Sequence, residues 1–254
     1  MITILSHAKN LDFKTDSDLD AYSIPEHLDD SRILINELRQ LNPKDIKKLM
    51  KVSDDIANVN FERNLAWKTP FTVDNAKHAI MAFKGQVYIG LDAGSFTGED
   101  HVFAQNHLRI LSGLYGILKP LDLIQAYRLE MGTKLKNKKG KNLYEFWGNK
   151  ITESINTELT KQKDKVLINL ASNEYFKAIK SKKVNGEIIT PVFKEQKGND
   201  FKVITVYAKT ARGLMSKFII QNKIDNPDDI KAFDLDGYLF NKDLSVETEW
   251  VFTR

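Results

Sequence analysis

Apolar positions along the chain fall into two spacings, one that suits strands and one that suits helices. ITILS at 2–6 is rich in β-formers and weakly alternating, which predicts an opening strand before the polar loop HAKNLDF. In LDDSRILINELRQL, residues 28–41, Leu28, Ile33, Leu34, Leu38 and Leu41 recur near helical spacing until Asn42 and Pro43 interrupt the run. Pro43 suits the first turn of a second helix with Asn42 as its cap, and Ile46, Leu49 and Met50 then share one face. Ser53 is placed to cap a further short helix carrying Ile56, Ala57 and Val59. The pattern therefore predicts helix, three-residue turn, helix across residues 43–60.

Further on, TPFTVDNAKHAIMAF at 69–83 reads as a capped helix beginning after Thr72, and GQVYIGLDAG as a buried strand punctuated by glycine. LRILS reads as a strand, GLYG as a turn, and YRLEMGTKL as another strand. LYEFWGNKITESINTEL, 143–159, has the spacing of one long amphipathic helix. VLINLAS at 166–172 is the clearest strand pattern, and SNEYFKAIK leaves it as a helix capped by Ser172 or Asn173. IITPVFKEQ and FKVITVYA, joined at KGND, predict a β-hairpin, followed by a helix in AKTARGLMSKFIIQN and a short one in NPDDIKAF. YLFNKD and TEWVFTR predict a closing hairpin. Strands and helices mix without strict alternation, so the fold class expected for residues 1–254 is α/β in the broad sense, a mixed α+β domain.

Composition narrows the function classes. With 42% hydrophobic and 28% charged residues, the chain is an ordinary globular sequence able to bury a core. It has no cysteine, which removes disulfides, thiol nucleophiles and cysteine metal clusters and makes any redox role indirect. The amino terminus lacks a basic segment followed by a long apolar run, and no stretch is long enough to span a bilayer. A cytoplasmic protein with no membrane partner is expected. The net charge of +4 permits a polyanion partner without demanding one. GxxxxGK[ST], GxGxxG and GxSxG motifs are all missing, and the five histidines show no ligand spacing, so neither a cofactor nor a metal is expected.

Three clusters carry candidate chemistry, and a helical pair adds a fourth candidate. Asn169, Ser172, Asn173, Glu174 and Tyr175 stand at the end of VLINLAS, where a strand terminus and the helix after it can form a ligand-accepting crevice. YAKTARG places Lys209 and Arg212, with Lys217 beyond, near an expected helix start, where cations oppose the helix dipole unless an anion faces them. In YRLEMG, Arg128 and Glu130 would share one face of a strand beside Tyr127 and pair with each other. Lys44, Lys47, Lys48 and Lys51 flank the expected helical pair, whose second helix after Ser53 could offer backbone N–H groups to phosphates. Capping explains Ser172 or Asn173 fully but not Glu174 and Tyr175 together, solvent exposure is the alternative for the cations, and an ordinary helical pair packing on a core is the commoner reading of 43–60.

LSHAKNLDF, GQVYIGLDA, LRILSGLYGILKPLDLIQAYRLEMGTKL, NLASNEYF, YAKTARGLMSKFII and VFTR, in that order, together resemble the YaaA-type peroxide-stress protein family over essentially the whole chain. The resemblance implies a single compact α/β domain of unusual topology with a mixed β-sheet, and a helix-hairpin-helix falling on DIKKLMKVSDDIANVN. It also implies a basic cleft suited to DNA, carried onto Lys9, Arg128, Glu130, Asn173, Glu174, Tyr175, Lys209, Arg212 and Lys217. Such proteins are associated with protection from hydrogen peroxide through limiting intracellular iron and oxidative DNA damage. Two departures stand out. The family's SPAKTLDF has His7 and Asn10 here, and its QPYRLEMG reads QAYRLEMG. Losing those prolines is expected to loosen two loops, including the one that carries Lys9.

The expectation is thus a cytoplasmic DNA-binding peroxide-stress protein. Lys44, Lys47, Lys48, Lys51 and Ser53 would contact phosphates of double-stranded or branched DNA by shape rather than sequence. Whether it is also an enzyme stays open. A glycosylase- or lyase-like activity on DNA, or an activity on a small anionic substrate, would use Glu130 or Glu174 as the carboxylate and Lys9 or Lys209 as the amine. An iron-binding protein is a third reading, with no ligand spacing behind it.

Overall fold

ITILS buries four of its five residues because it runs down the middle of the main sheet, with a parallel neighbour on each side. In the computed structural model, which describes residues 1–254, that sheet has eight strands. They are β1 (Ile2–Ser6), β2 (Leu108–Ser112), β3 (Gly116–Leu118), β4 (Val166–Asn169), β5 (Glu187–Lys197), β6 (Asp200–Lys202), β7 (Leu239–Phe240) and β8 (Glu249–Thr253). Their order is β7-β8-β5-β4-β1-β2-β3, with β6 paired to β5. The pairs β8–β5, β5–β4, β4–β1 and β1–β2 are parallel, whereas the β7–β8, β5–β6 and β2–β3 pairs are antiparallel. The sheet is therefore mixed, as expected. The chain leaves β1 for β2 on one side and later places β4 on the other, so the sheet changes winding direction between β1 and β4. Open α/β sheets hold their ligands at the carboxyl ends of strands beside such a reversal.

The longer helices are α1 (Leu28–Leu38), α2 (Pro43–Met50), α3 (Asp54–Ala66), α4 (Gln86–Leu91), α5 (Gly98–His107), α6 (Lys150–Thr160) and α7 (Thr205–Gln221). A single apolar cluster draws on residues from Met1 to Phe252, which makes one domain rather than two. Helix α2 begins where its cap and proline predict. The Asp45 amide donates to Asn42 Oδ1 at 3.0 Å and the Asn42 amide donates back to Asp45 Oδ2 at 3.3 Å. Ser53 accepts from the Ile56 amide, and α3 continues to Ala66, well past the short helix expected.

Several local expectations are corrected. GQVYIGLDAG is the helix α4 followed by a 3-10 turn at Ala93–Ser95, because it lies against α7 closely enough that backbone meets backbone. YRLEMGTKL forms no ladder. It keeps the in-out alternation of a strand, with Leu129 and Met131 fully buried, but passes over Gly113 without a partner strand and turns at Met131–Gly132, where the Thr133 amide donates to the Glu130 carbonyl at 3.0 Å. In 69–83 only Ala79–Ala82 is helical, since Lys77–His78 pairs with Leu123–Ile124 and Phe83–Lys84 pairs with Asn10–Leu11. The helix expected at 143–159 is split into Leu143–Trp147 and α6 at Gly148, whose φ of 54° ends the first turn. FKVITVYA is a strand only through Lys202, and Val203 and Ile204 lead straight into α7, whose first turn carries the β-branched Thr205 and Val206.

Candidate functional site at the carboxyl ends of the central strands

β1 ends at Ser6 and β4 at Asn169, and the loops beyond them are tied together across the sheet. The Ser172 amide donates to Ser6 Oγ at 2.9 Å, and the two hydroxyl oxygens lie 3.3 Å apart. Ser172 therefore serves this cross-link instead of capping a helix, and the chain continues into a single helical turn, Asn173–Phe176. The expected helix N-terminus at this strand end is too short to act as an anion site by itself.

A cavity of about 540 Å³ opens at this junction. Its floor is His7, Tyr175 and Tyr88, and its rim brings in Lys9, Asn173, Glu174, Lys209 and Arg212. Segments far apart in the chain are thus gathered where the sheet reverses, in a cavity whose size and place are typical of ligand pockets. Lys9 Nζ lies 2.5 Å from Glu130 Oε2, and Arg128 reaches Glu130 Oε1 at 3.2 Å, so Glu130 bridges two cations. The expected pairing of Arg128 with Glu130 holds without a strand to impose it. Glu174 Oε1 accepts from the Gly132 amide at 2.8 Å, which fastens the one-turn helix to the 128–135 segment.

Lys209 and Arg212 reach the rim from the body of α7. The helix begins at Thr205, four residues before Lys209, so the cations do not sit at its N-terminus as expected. Neither has a carboxylate in ion-pair range, and burial alone holds the Arg212 guanidinium below its usual pKa. Lys217, one and a half turns further, lies outside the cavity and pairs with Asp92 at 2.8 Å.

The α2–α3 pair flanks this site. Lys44, Lys48 and Lys51 are exposed, while Lys47 is held by Asp54 at 2.7 Å. The turn is closed by Lys51 in the left-handed region at φ 53°, the place a glycine would ordinarily take. Asp54 and Asp55 occupy the first turn of α3 beside the Ser53 cap, so its terminal N–H groups already face carboxylates. The helix end expected from the sequence to offer its N–H groups is therefore already served, and the positive charge of the pair is carried by its lysines. Two further hollows join the cavity to the pair. One, about 340 Å³, runs along α3 between Asp55 and Arg63 on one wall and Lys9, Asn10 and Arg128 on the other. The other, about 680 Å³, lies between Lys48 and Lys51 and the Glu130, Lys134 and Glu174 side.

Sequence reasoning placed Tyr175 in the cleft but did not assign His7 to the site beneath it. His7 Nδ1 is 2.6 Å from the Tyr127 hydroxyl, which is 2.6 Å from Ser112 Oγ, and on its other side His7 Nε2 is hydrogen-bonded to the Tyr175 hydroxyl. Burial pushes the His7 pKa down to about 3, with Lys9 and Arg128 adding to the effect. Burial pushes Tyr127 and Tyr175 upward. All three rings stay neutral at physiological pH. Where the family's opening has a proline, the His7 ring is held by two hydrogen bonds. The available signal was position, since His7 directly follows the strand that the hydrophobic pattern marks best at the amino end.

Fold and site together define a single-domain α/β protein with a polar, cation-rimmed cavity at the topological reversal of a mixed sheet. The chain belongs to the family described as peroxide stress protein YaaA, whose model matches residues 1–244. Among curated relatives, it is 56% identical to a UPF0246 protein of Psychromonas ingrahamii and 54% identical to one of Saccharophagus degradans. Both alignments cover the whole chain and 99% of the relative. A UPF0246 protein of Colwellia psychrerythraea is 53% identical over the same span. No helix is long and apolar enough to cross a membrane.

Proposed function

We propose that this peroxide-stress protein binds DNA, with the α2–α3 pair acting as a helix-hairpin-helix and the adjoining cavity and hollows as its cleft. The observation that carries this reading is continuity. Lys9 and Asn10 line both the cavity and the groove along α3, and Glu174 lines both the cavity and the hollow at the hairpin turn. The three together present nine Lys or Arg side chains against four carboxylates, an imbalance that favours a polyanion. Lysines on a helical turn contact phosphates without reading bases, so recognition is by DNA shape, double-stranded or branched. In the cell the protein is cytoplasmic and limits iron-driven oxidative damage to that DNA, the role its resemblance implies.

Fluorescence anisotropy with duplex and four-way-junction DNA over a salt series tests the reading. Binding should weaken linearly in log affinity against log salt, with a slope of about 0.9 per phosphate contact on duplex. Lys48→Ala should reduce that slope by about one contact. Failure of both DNA forms to bind at low salt would sink the proposal.

A further inference from the structure

The buried hydrogen-bond chain beneath the cavity admits two directions of donation, and each leaves one hydroxyl hydrogen without a protein acceptor, on Ser112 or on Tyr175. The Tyr115 amide donates to Ser112 Oγ at 3.0 Å, and Ser112 is fully buried with the Tyr127 hydroxyl as its only other partner. Were Tyr127 to donate to Ser112, the Ser112 hydrogen would be stranded in the core, at the full cost of an unmade bond. Ser112 therefore donates to Tyr127, and Tyr127 donates to His7 Nδ1. The neutral His7 ring must then carry its proton on Nε2 and donate it to the Tyr175 oxygen. That oxygen also receives the Met131 amide at 3.4 Å. Both of its acceptor positions are filled, so the Tyr175 O–H hydrogen has no protein acceptor, and Tyr175, 5% exposed, lines the cavity from which an acceptor would come, whereas Ser112 is fully buried.

A buried hydroxyl whose hydrogen has no protein acceptor waits for one. The groups beside it indicate which kind. Arg212 and Lys209 line the same cavity from one face of α7, spaced by three residues, and have no carboxylate partner. A planar guanidinium in a partly desolvated place matches the oxygens of a phosphate or carboxylate. Two unpaired cations beside one neutral donor match the double charge of a phosphomonoester better than the single charge of a carboxylate. The cavity, about 540 Å³, has room for an organic phosphate of mononucleotide size.

We propose that Tyr175 and Arg212 form an oxyanion subsite, with Lys209 beside it, that binds the phosphate of a phosphomonoester. Tyr175 is aligned for it by the donor chain from Ser112 through Tyr127 and His7. The subsite does not depend on the hairpin lysines, and so stands or falls separately from DNA binding by the helix pair. The phosphomonoester has two possible sources, a free nucleotide or the terminal phosphate of a nucleic-acid strand.

Isothermal titration of the full chain with inorganic phosphate, a nucleoside 5′-monophosphate, and a short oligonucleotide with or without a 5′-phosphate tests this. The monophosphate, the 5′-phosphorylated oligonucleotide or both should bind, and Tyr175→Phe and Arg212→Gln should each weaken that binding by roughly tenfold or more. Selective binding of the mononucleotide assigns the free source, and a requirement for the 5′-phosphate on the oligonucleotide assigns the strand end. Should Tyr175→Phe fail to fold, Arg212→Gln decides. Nitrogen-15 NMR of the His7 ring supplies an independent readout, expected to show Nε2 protonated and Nδ1 bare at neutral pH. Lack of any phosphate-dependent binding in the wild-type protein, equal binding in the variants, or a proton on Nδ1 overturns the proposal.

Discussion

Gly90 of α4 and Gly213 of α7 meet backbone to backbone. A Cβ on Gly90 would stand 2.2 Å from the Thr210 carbonyl oxygen, and one on Gly213 would stand 1.9 Å from that of Val87. The contact places two walls of the cavity at once, since α4 supplies Gln86 and Tyr88 and α7 supplies Lys209 and Arg212. Gly213→Ala is expected to force the helices apart and lower stability by about 3 kcal/mol. Urea denaturation of the variant measures it, and a loss of a few tenths of a kcal/mol would mean the helices can separate freely.

His7 sets a pH dependence with a defined sign. Its folded pKa, pushed down to about 3 by burial, lies below the ordinary histidine value near 6.5. Between those values the unfolded chain binds a proton that the folded chain does not, so stability is complete above about pH 6.5 and declines as pH falls. The His7 contribution to the slope is about 1.4 kcal/mol per pH unit. His7→Gln should therefore flatten the stability curve by that amount between about pH 6 and pH 4, even if it lowers stability at neutral pH. Unchanged slope in denaturation series at several pH values would show that His7 titrates normally in the fold.

Lys51 separates the fold of the helix pair from its charge. Its left-handed backbone is strained for any residue with a Cβ, so Lys51→Gly is expected to keep stability within about 1 kcal/mol of wild type, or raise it. The same change removes a cation from the hairpin hollow and should lower duplex affinity while the melting temperature holds. Unchanged affinity would exclude Lys51 from the DNA contact.

The polar residues of 108–135 divide between two places. Ser112, Tyr127, Arg128 and Glu130 belong to the cavity region, but Arg109 is elsewhere, 3% exposed and joined to Glu158 at 2.6 Å. Glu158→Ala would leave that guanidinium buried and unpaired, with an expected loss of about 3–5 kcal/mol and no direct effect on the cavity. Circular dichroism melts together with phosphate titration test both halves. Loss of ligand binding in a fully folded variant would join the two regions functionally.

The hydrophobic pattern and the caps settled β1, α2, the start of α3, β2, β4 and the closing hairpin, because each is fixed by neighbours within a few residues. Asn42 and Asp45 bond to each other's amides three positions apart, and no distant contact is required. The cluster at 172–175 and the Arg128–Glu130 pair were likewise visible, as chemistry placed next to a strand end or two residues apart. The resemblance, rather than spacing, brought Lys9 and Lys209 into the same site.

Tertiary structure decided the rest. GQVYIGL has the β-branched residues of a strand, yet becomes α4 because two glycines allow a helix to lie on α7, and no local rule can see a contact spanning residues 90 and 213. YRLEMG alternates as a strand does, but a ladder needs a partner edge, and the fold sets Gly113 there instead. His7 is one histidine among five in the sequence. Only the convergence of Ser112, Tyr127 and Tyr175 from three distant segments makes it the pivot of a buried donor chain, because hydrogen-bond satisfaction in a core is a property of the assembled surroundings.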